Sequence, residues 1–192
     1  MAESYCKVAE NHPVHGPFHD REHGFPTREE AALFERLCLE INQAGLSWLT
    51  VLKKREAFGK AFQGFAVDRV AGFGPCDIAR LMNDAGIIRN RRKIEAVIEN
   101  ARRLRGLRET HGSFAGWLDS KHPKTLEDWV PVFRKTFVFT GKEIVNEFLV
   151  GTGYLPGAHD RRCQVYPIVL KEKPPWTWGM DMHTNAGKSS RD

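Results

Sequence analysis

The sequence predicts an all-α fold on three grounds: apolar residues recur at helical spacing, capping residues stand ahead of several of these runs, and tight turns separate them. Thr27-Arg28-Glu29-Glu30 reads as a capping box, with Thr27 as N-cap and Glu30 three positions on. Leu33, Phe34, Leu37 and Ile41 then repeat along one face up to a break at Gly45. Ser47 suits the cap of the next helix, which carries Leu49, Val51, Leu52 and Phe58. Asp68 and Asp77 open two short helices, the second with Ile78, Leu81 and Met82. A tight turn spans Asn83 to Arg91. The long helix after it places Ile94, Val97, Ile98, Ala101 and Leu104 on one face. Further helices are expected near Phe114–Leu118, Leu126–Phe133 and Lys142–Gly151.

At 192 residues the chain fits one domain with a real core. We assign residues 1–170 to that domain. From about Lys171, the Pro-Pro-Trp-Thr-Trp-Gly stretch and its polar end predict an extended or partly disordered tail, with Trp176 and Trp178 able to dock on the body. No apolar run approaches a membrane span, and the N-terminus has neither a basic nor an apolar leader region. A cytoplasmic protein with no membrane partner is therefore expected. Gly141-Lys142 lacks the upstream glycine of a phosphate-binding loop, no Gly-x-Ser-x-Gly occurs, and no nucleotide cofactor is expected.

Charge is unevenly spread. The net charge is +5, yet the segment Arg89–Arg108 alone carries Arg89, Arg91, Arg92, Lys93, Arg102, Arg103, Arg105 and Arg108 against only Glu95 and Glu99. A concentrated basic face favours a polyanionic partner, although a solvated helix face has the same composition.

The stretch from Glu40 to Arg55 suggests the chemistry. Glu40 sits inside an apolar helical pattern, Trp48 opens the next helix, and Lys53-Lys54-Arg55 follow. A carboxylate, an aromatic plate and nearby cations can hold a flat, electron-poor ring beside a phosphate. Taken alone, Glu40 suits a solvent-facing residue or an ion-pair partner, Trp48 suits core, and the cationic triplet suits a solvated helix end.

Four cysteines in a cytoplasmic chain are better read as metal ligands or buried thiols than as disulfides. His159 and Cys163 stand four residues apart, and Cys6 lies near His12, His15, His19 and His23. Two cysteines with two histidines make a closed tetrahedral zinc set, structural rather than catalytic, that would tie the termini together. Cys38 and Cys76, among apolar residues, are expected to be buried thiols.

Phe18-His19-Asp20, Gln43-Ala44-Gly45-Leu46-Ser47-Trp48, Val51-Leu52-Lys53-Lys54-Arg55, Asp84-Ala85-Gly86-Ile87-Ile88-Arg89 and His159-x-x-x-Cys163 together resemble the 3-methyladenine DNA glycosylase I family, of the helix-hairpin-helix superfamily. The resemblance runs from Cys6 to Tyr166. It implies a helical fold with one structural Zn²⁺ on Cys6, His19, His159 and Cys163. It makes the turn Gly86–Arg91 the DNA-binding hairpin, with Gly86, Ile88, Arg89, Arg91, Arg92 and Lys93 facing the phosphates of double-stranded DNA that contains alkylated bases. It maps the catalytic, base-binding carboxylate to Glu40 and the stacking ring to Trp48, with Phe18 and His23 beside them. The activity implied is hydrolysis of the glycosidic bond of 3-methyladenine after base flipping. The family lacks the aspartate common in its superfamily; Asp119 is the position to inspect if one were present, and a surface or capping role suits it better.

Three positions depart from the family pattern. Phe18 stands where tyrosine is usual, Val8 where tryptophan is usual, and His23 replaces the tryptophan of Glu-Trp-Gly. The expected pocket thus loses aromatic surface and a hydroxyl, and His23 could restore a flat ring. These changes leave base preference open, along with two other readings: a module that binds damaged DNA without excision, and a zinc-organised protein whose basic face binds RNA or protein.

Overall fold

Apolar spacing accounts for the helices seen in the computed structural model, which describes residues 4–178. Two short helices, α1 (Tyr5–Ala9) and α2 (His15–Arg21), precede α3 (Glu30–Gln43) and α4 (Trp48–Ala61). After a one-turn 3₁₀ segment come α5 (Val67–Ala71), α6 (Pro75–Asn83) and the long α7 (Arg91–His111). The chain continues through α8 (Phe114–Lys121), α9 (Leu126–Thr136), α10 (Lys142–Gly151) and α11 (Tyr166–Lys171). No strand occurs among the described residues, and no helix there is long and apolar enough to cross a membrane.

The predicted stripes form the core. Leu33, Phe34, Leu37 and Ile41 of α3 are fully buried, as are Val97, Ala101 and Leu104 of α7, with Ile94 and Ile98 almost so. Helix α7 packs against α5, α3, α6 and α8, while α10 covers α3 and α9. Ser47 caps α4 by accepting from the Thr50 amide at 3.2 Å.

The start of α3 differs from the capping-box expectation. The helix begins at Glu30, and Thr27 Oγ1 accepts only from the Glu29 amide. Glu30 is drawn away from its capping role because its carboxylate takes Arg108 of α7. Two other expectations need correcting. Lys53-Lys54-Arg55 lie in the middle of α4, not at its end, and Cys76 is exposed, whereas Cys38 is buried. Helices α1, α2 and α11 add to those expected from the sequence.

At the C-terminal side, Lys171 still belongs to α11, and residues Pro175–Thr177 form a 3₁₀ turn whose Trp176 amide donates to Gly153 O at 3.0 Å. Trp178 is exposed, with its ring edge on His122. The rest of the tail lies outside the described residues.

Candidate functional site

The two ends of the chain meet at a cluster of four donors. Helices α1 and α2 supply Cys6 and His19, and the loop before α11 supplies His159 and Cys163; their ligand atoms lie within 4.8 Å of one another. His19 Nε2 is 3.1 Å from His159 Nδ1, and Cys163 Sγ is 3.7 and 3.8 Å from those two nitrogens. Cys6 Sγ is 3.9 Å from His159 Nδ1. A tetrahedral ion with bonds of about 2.0–2.3 Å sets its ligands roughly 3.3–3.8 Å apart, so the set fits one. Each histidine is oriented through its other nitrogen: His19 Nδ1 meets Asp20 Oδ1 at 2.7 Å, and His159 Nε2 meets the His23 carbonyl at 2.7 Å. Of the other histidines, His12 accepts from the Val14 and His15 amides, and His15 faces Tyr5.

Next to this cluster lies the recess around Glu40. The break at Gly45, with φ +82°, turns the chain so that Trp48 begins α4 beside the C-terminal half of α3. Trp48 packs edge-on against Phe18 at 5.2 Å between centroids, and Phe18 lies 5.8 Å from the His23 ring. Glu40 keeps some solvent access, as a pocket group must, but its carboxyl lies deep. Burial, aided by Glu147, pushes its pKa up to about 8 against the opposing pull of Arg36. His23 is pushed down to about 3, first by burial and then by the His159 and Arg36 charges, so it is a neutral ring.

Several residues that complete the recess carried no signal in the sequence reading. Tyr5 packs against the rings of His15, His19 and His23, and its hydroxyl is 3.1 Å from His15 Nδ1. The Trp48 indole and the Glu40 carboxyl stand beside it; burial and Glu40 hold its phenol well above the usual range, so it is neutral. Arg36 lies over the face of Phe18, 4.9 Å from its centroid, and donates to Glu22 at 3.0 Å. Arg55 grips the same Glu22 at 2.6 and 2.8 Å and Glu35 at 2.8 and 2.9 Å. Burial alone would raise the Glu22 pKa, but the two arginines hold it below the ordinary value. Arg55 is therefore part of an ion network that fixes α2, α3 and α4 around the recess. Val8 faces solvent at 41% exposure, leaving Tyr5 to fill the aromatic space. Asp119 is occupied, accepting from Tyr154 at 2.6 Å and Arg28 at 2.7 Å.

The turn between α6 and α7 is built for a close approach. Gly86 donates to Asp84 Oδ1 at 2.7 Å, and a Cβ added at Gly86 would meet that oxygen at 2.9 Å and Ala57 at 3.0 Å. Lys54 reaches across from α4 to the Ala85 and Gly86 carbonyls at 2.9 and 3.1 Å. Arg89, Arg91 and Arg92 are exposed, Arg91 pairing loosely with Glu95, and Ile88 is half-buried.

Lys93 departs from the phosphate-facing expectation. It is only 4% exposed and donates to the Asn42 and Ala44 carbonyls at 2.8 and 2.6 Å, closing the C-terminal end of α3. Further along α7, Arg102 serves the Ala71 and Phe73 carbonyls, Arg103 pairs with Glu99, and Arg108 pairs with Glu30 and Asp68. The dense basic stretch is thus partly internal scaffolding. Its outward part is concentrated at the turn, with Arg105 further along.

The methyladenine glycosylase family model matches residues 8–130, which include His19, Glu40, Trp48 and the α6–α7 turn. DNA-3-methyladenine glycosylase 1 of Escherichia coli (strain K12) is 48% identical over 97 residues, covering 50% of this chain and 52% of that protein. DNA-3-methyladenine glycosylase of Haemophilus influenzae is 37% identical over 131 residues, covering 67% of this chain and 70% of the relative. The chain thus spans about half the length of the first relative and more of the second. A solved structure of 3-methyladenine DNA glycosylase I from Staphylococcus aureus, concerned with 3-methyladenine recognition, superposes with a TM-score of 0.76 at 32% identity, covering 84% of this chain and 95% of that one. The chain belongs to the methyladenine glycosylase family.

Proposed function

We propose that this protein is a DNA-3-methyladenine glycosylase I, a monofunctional hydrolase that removes 3-methyladenine from double-stranded DNA. The observation that carries the reading is Glu40, an acidic group deep in a recess walled by Trp48 and Phe18. Alkylation at N3 gives adenine a positive charge and makes it a good leaving group, so little acid assistance is needed. What the reaction needs is extraction from the stack, a fitted cavity and a compensating negative charge. Glu40 accepts from the exocyclic amine and complements the cation, Trp48 lies against the ring, and water attacks the sugar. The exposed turn at Gly86–Arg92 faces the phosphate backbone, and Leu46, an apolar side chain 42% exposed beside Gly45, suits the gap left by a flipped base.

The four-donor cluster holds zinc in this reading. Two thiolates and two imidazoles with both histidines oriented suit Zn²⁺ over oxygen-seeking ions. With every position filled by protein, the ion holds the terminal segments together and takes no part in the chemistry.

The direct test is incubation with methylated DNA followed by analysis of the freed bases. Release of 3-methyladenine is expected; tight binding to that DNA without any released base would favour the binding-module reading. The pH profile follows from Glu40. Below its pKa of about 8 the group is a neutral acid and cannot offset the cationic base. We therefore expect kcat/KM to rise with pH up to about 8 and then level off. Glu147→Gln, which removes the neighbouring acid, should move that rise to lower pH. A flat profile from pH ~6 to ~9 would contradict the role given to Glu40.

A further inference from the structure

The Tyr5 phenol is in the recess without being part of the metal cluster or of the Glu40–Trp48 pair. Its partners define its hydrogen-bonding sense. His15 Nδ1, at 3.1 Å, takes the hydroxyl proton in the tautomer that carries its own proton on Nε2. The phenol oxygen is then left as an acceptor beside the Trp48 indole and the Glu40 carboxyl. The neighbouring Phe18 has no hydroxyl, so Tyr5 supplies this oxygen from a different element, α1.

We propose that Tyr5 is a specificity-determining residue of the base recess, its oxygen accepting one hydrogen of the exocyclic amine of a bound adenine while Glu40 accepts the other. An exocyclic amine has two N–H donors, and the recess then offers two acceptors. A guanine-type base has a carbonyl oxygen at the same edge, which would leave acceptors facing acceptors and both desolvated. Tyr5 thus favours 3-methyladenine over 3-methylguanine. The inference rests on the glycosylase reading above.

The experiment measures kcat/KM for release of 3-methyladenine and 3-methylguanine from methylated DNA, alongside metal content and thermal stability. In Tyr5→Phe the preference for adenine should fall about fivefold to tenfold, the worth of one hydrogen bond. Returning a hydroxyl to the same aromatic cluster in the double variant Tyr5→Phe with Phe18→Tyr should recover part of it. Should Tyr5→Phe fold poorly, His15→Leu provides an independent test. It leaves the phenol in place but removes its acceptor, so the O–H turns inward as a donor and the same preference should fall. An unchanged preference in the folded variants, or an equal loss on both bases, overturns the assignment. A wild-type protein that frees neither base would instead defeat the glycosylase reading itself.

Discussion

Replacing Glu40 with glutamine should lower 3-methyladenine excision about a hundredfold while making the protein more stable at neutral pH. Glutamine keeps the shape and the amide oxygen but cannot carry the negative charge that offsets a cationic base. Loss of one preorganised electrostatic contact in a dry site typically costs about 3 kcal/mol in the transition state. The stability effect has the opposite sign. Glu40 has a folded pKa of about 8 against an ordinary 4.5. For an acid raised on folding, the penalty is absent below the unfolded pKa, grows as pH climbs from 4.5 and is complete above about 8. At pH ~7 it amounts to as much as about 3 kcal/mol, at 1.36 kcal/mol per unit. Glu40→Gln should therefore unfold at a higher temperature than the parent at pH ~7 and at nearly the same temperature at pH ~4. Equal excision rates would remove Glu40 from the reaction, and a variant less stable at neutral pH would mean that the carboxylate has a structural partner.

The second large effect is expected at the metal cluster. Cys163→Ser replaces a thiolate with a poor zinc ligand and leaves three donors facing one another without the ion that reconciles them. Helices α1 and α2 span 5 and 7 residues, too short to persist without an anchor. Their release would also withdraw Tyr5, Phe18 and His23 from the recess, so activity should fall with the metal. We expect loss of the bound zinc and a drop in the unfolding midpoint of about 10 °C, corresponding to roughly 3 kcal/mol in a chain of this size. Cys76→Ser, at an exposed cysteine outside the cluster, is the control and should change neither. A wild-type protein that is stable and metal-free would refute the zinc reading.

The long helices were legible because their stripes are unambiguous: Leu33, Phe34, Leu37 and Ile41 in α3, and Ile94 to Leu104 in α7, are buried as their spacing implies. The short α1, α2 and α11 were not, since a helix of one or two turns has too few positions for a period to emerge. Ser47 worked as a cap, whereas the Thr27 box lost its glutamate to Arg108, a partner 78 positions away. The four metal donors were visible as residue types, but the choice of His19 among four histidines needed the family resemblance; the geometry now brings it to Cys6, His159 and Cys163.

Lys93 shows how charge can mislead where position would have informed. It is one turn before Val97 and two before Asn100, on the buried face of α7, so its place on the helix pointed inward even as its charge suggested a phosphate. Arg36 repeats the lesson, three positions from both Leu33 and Leu39. Tyr5 gave no sequence signal because its neighbours His15, His23 and Trp48 come from three separate segments.

The inward Lys93 has a mechanical consequence. Its ammonium ties the end of α3, just past Glu40, to the first turn of the helix that leaves the hairpin. One side chain thus sets the separation between the backbone-gripping turn and the floor of the recess. A strand held at the turn presents its nucleotides to a gauge of fixed length. A base still stacked in the duplex falls short of the floor, and only one swung fully outward spans the distance.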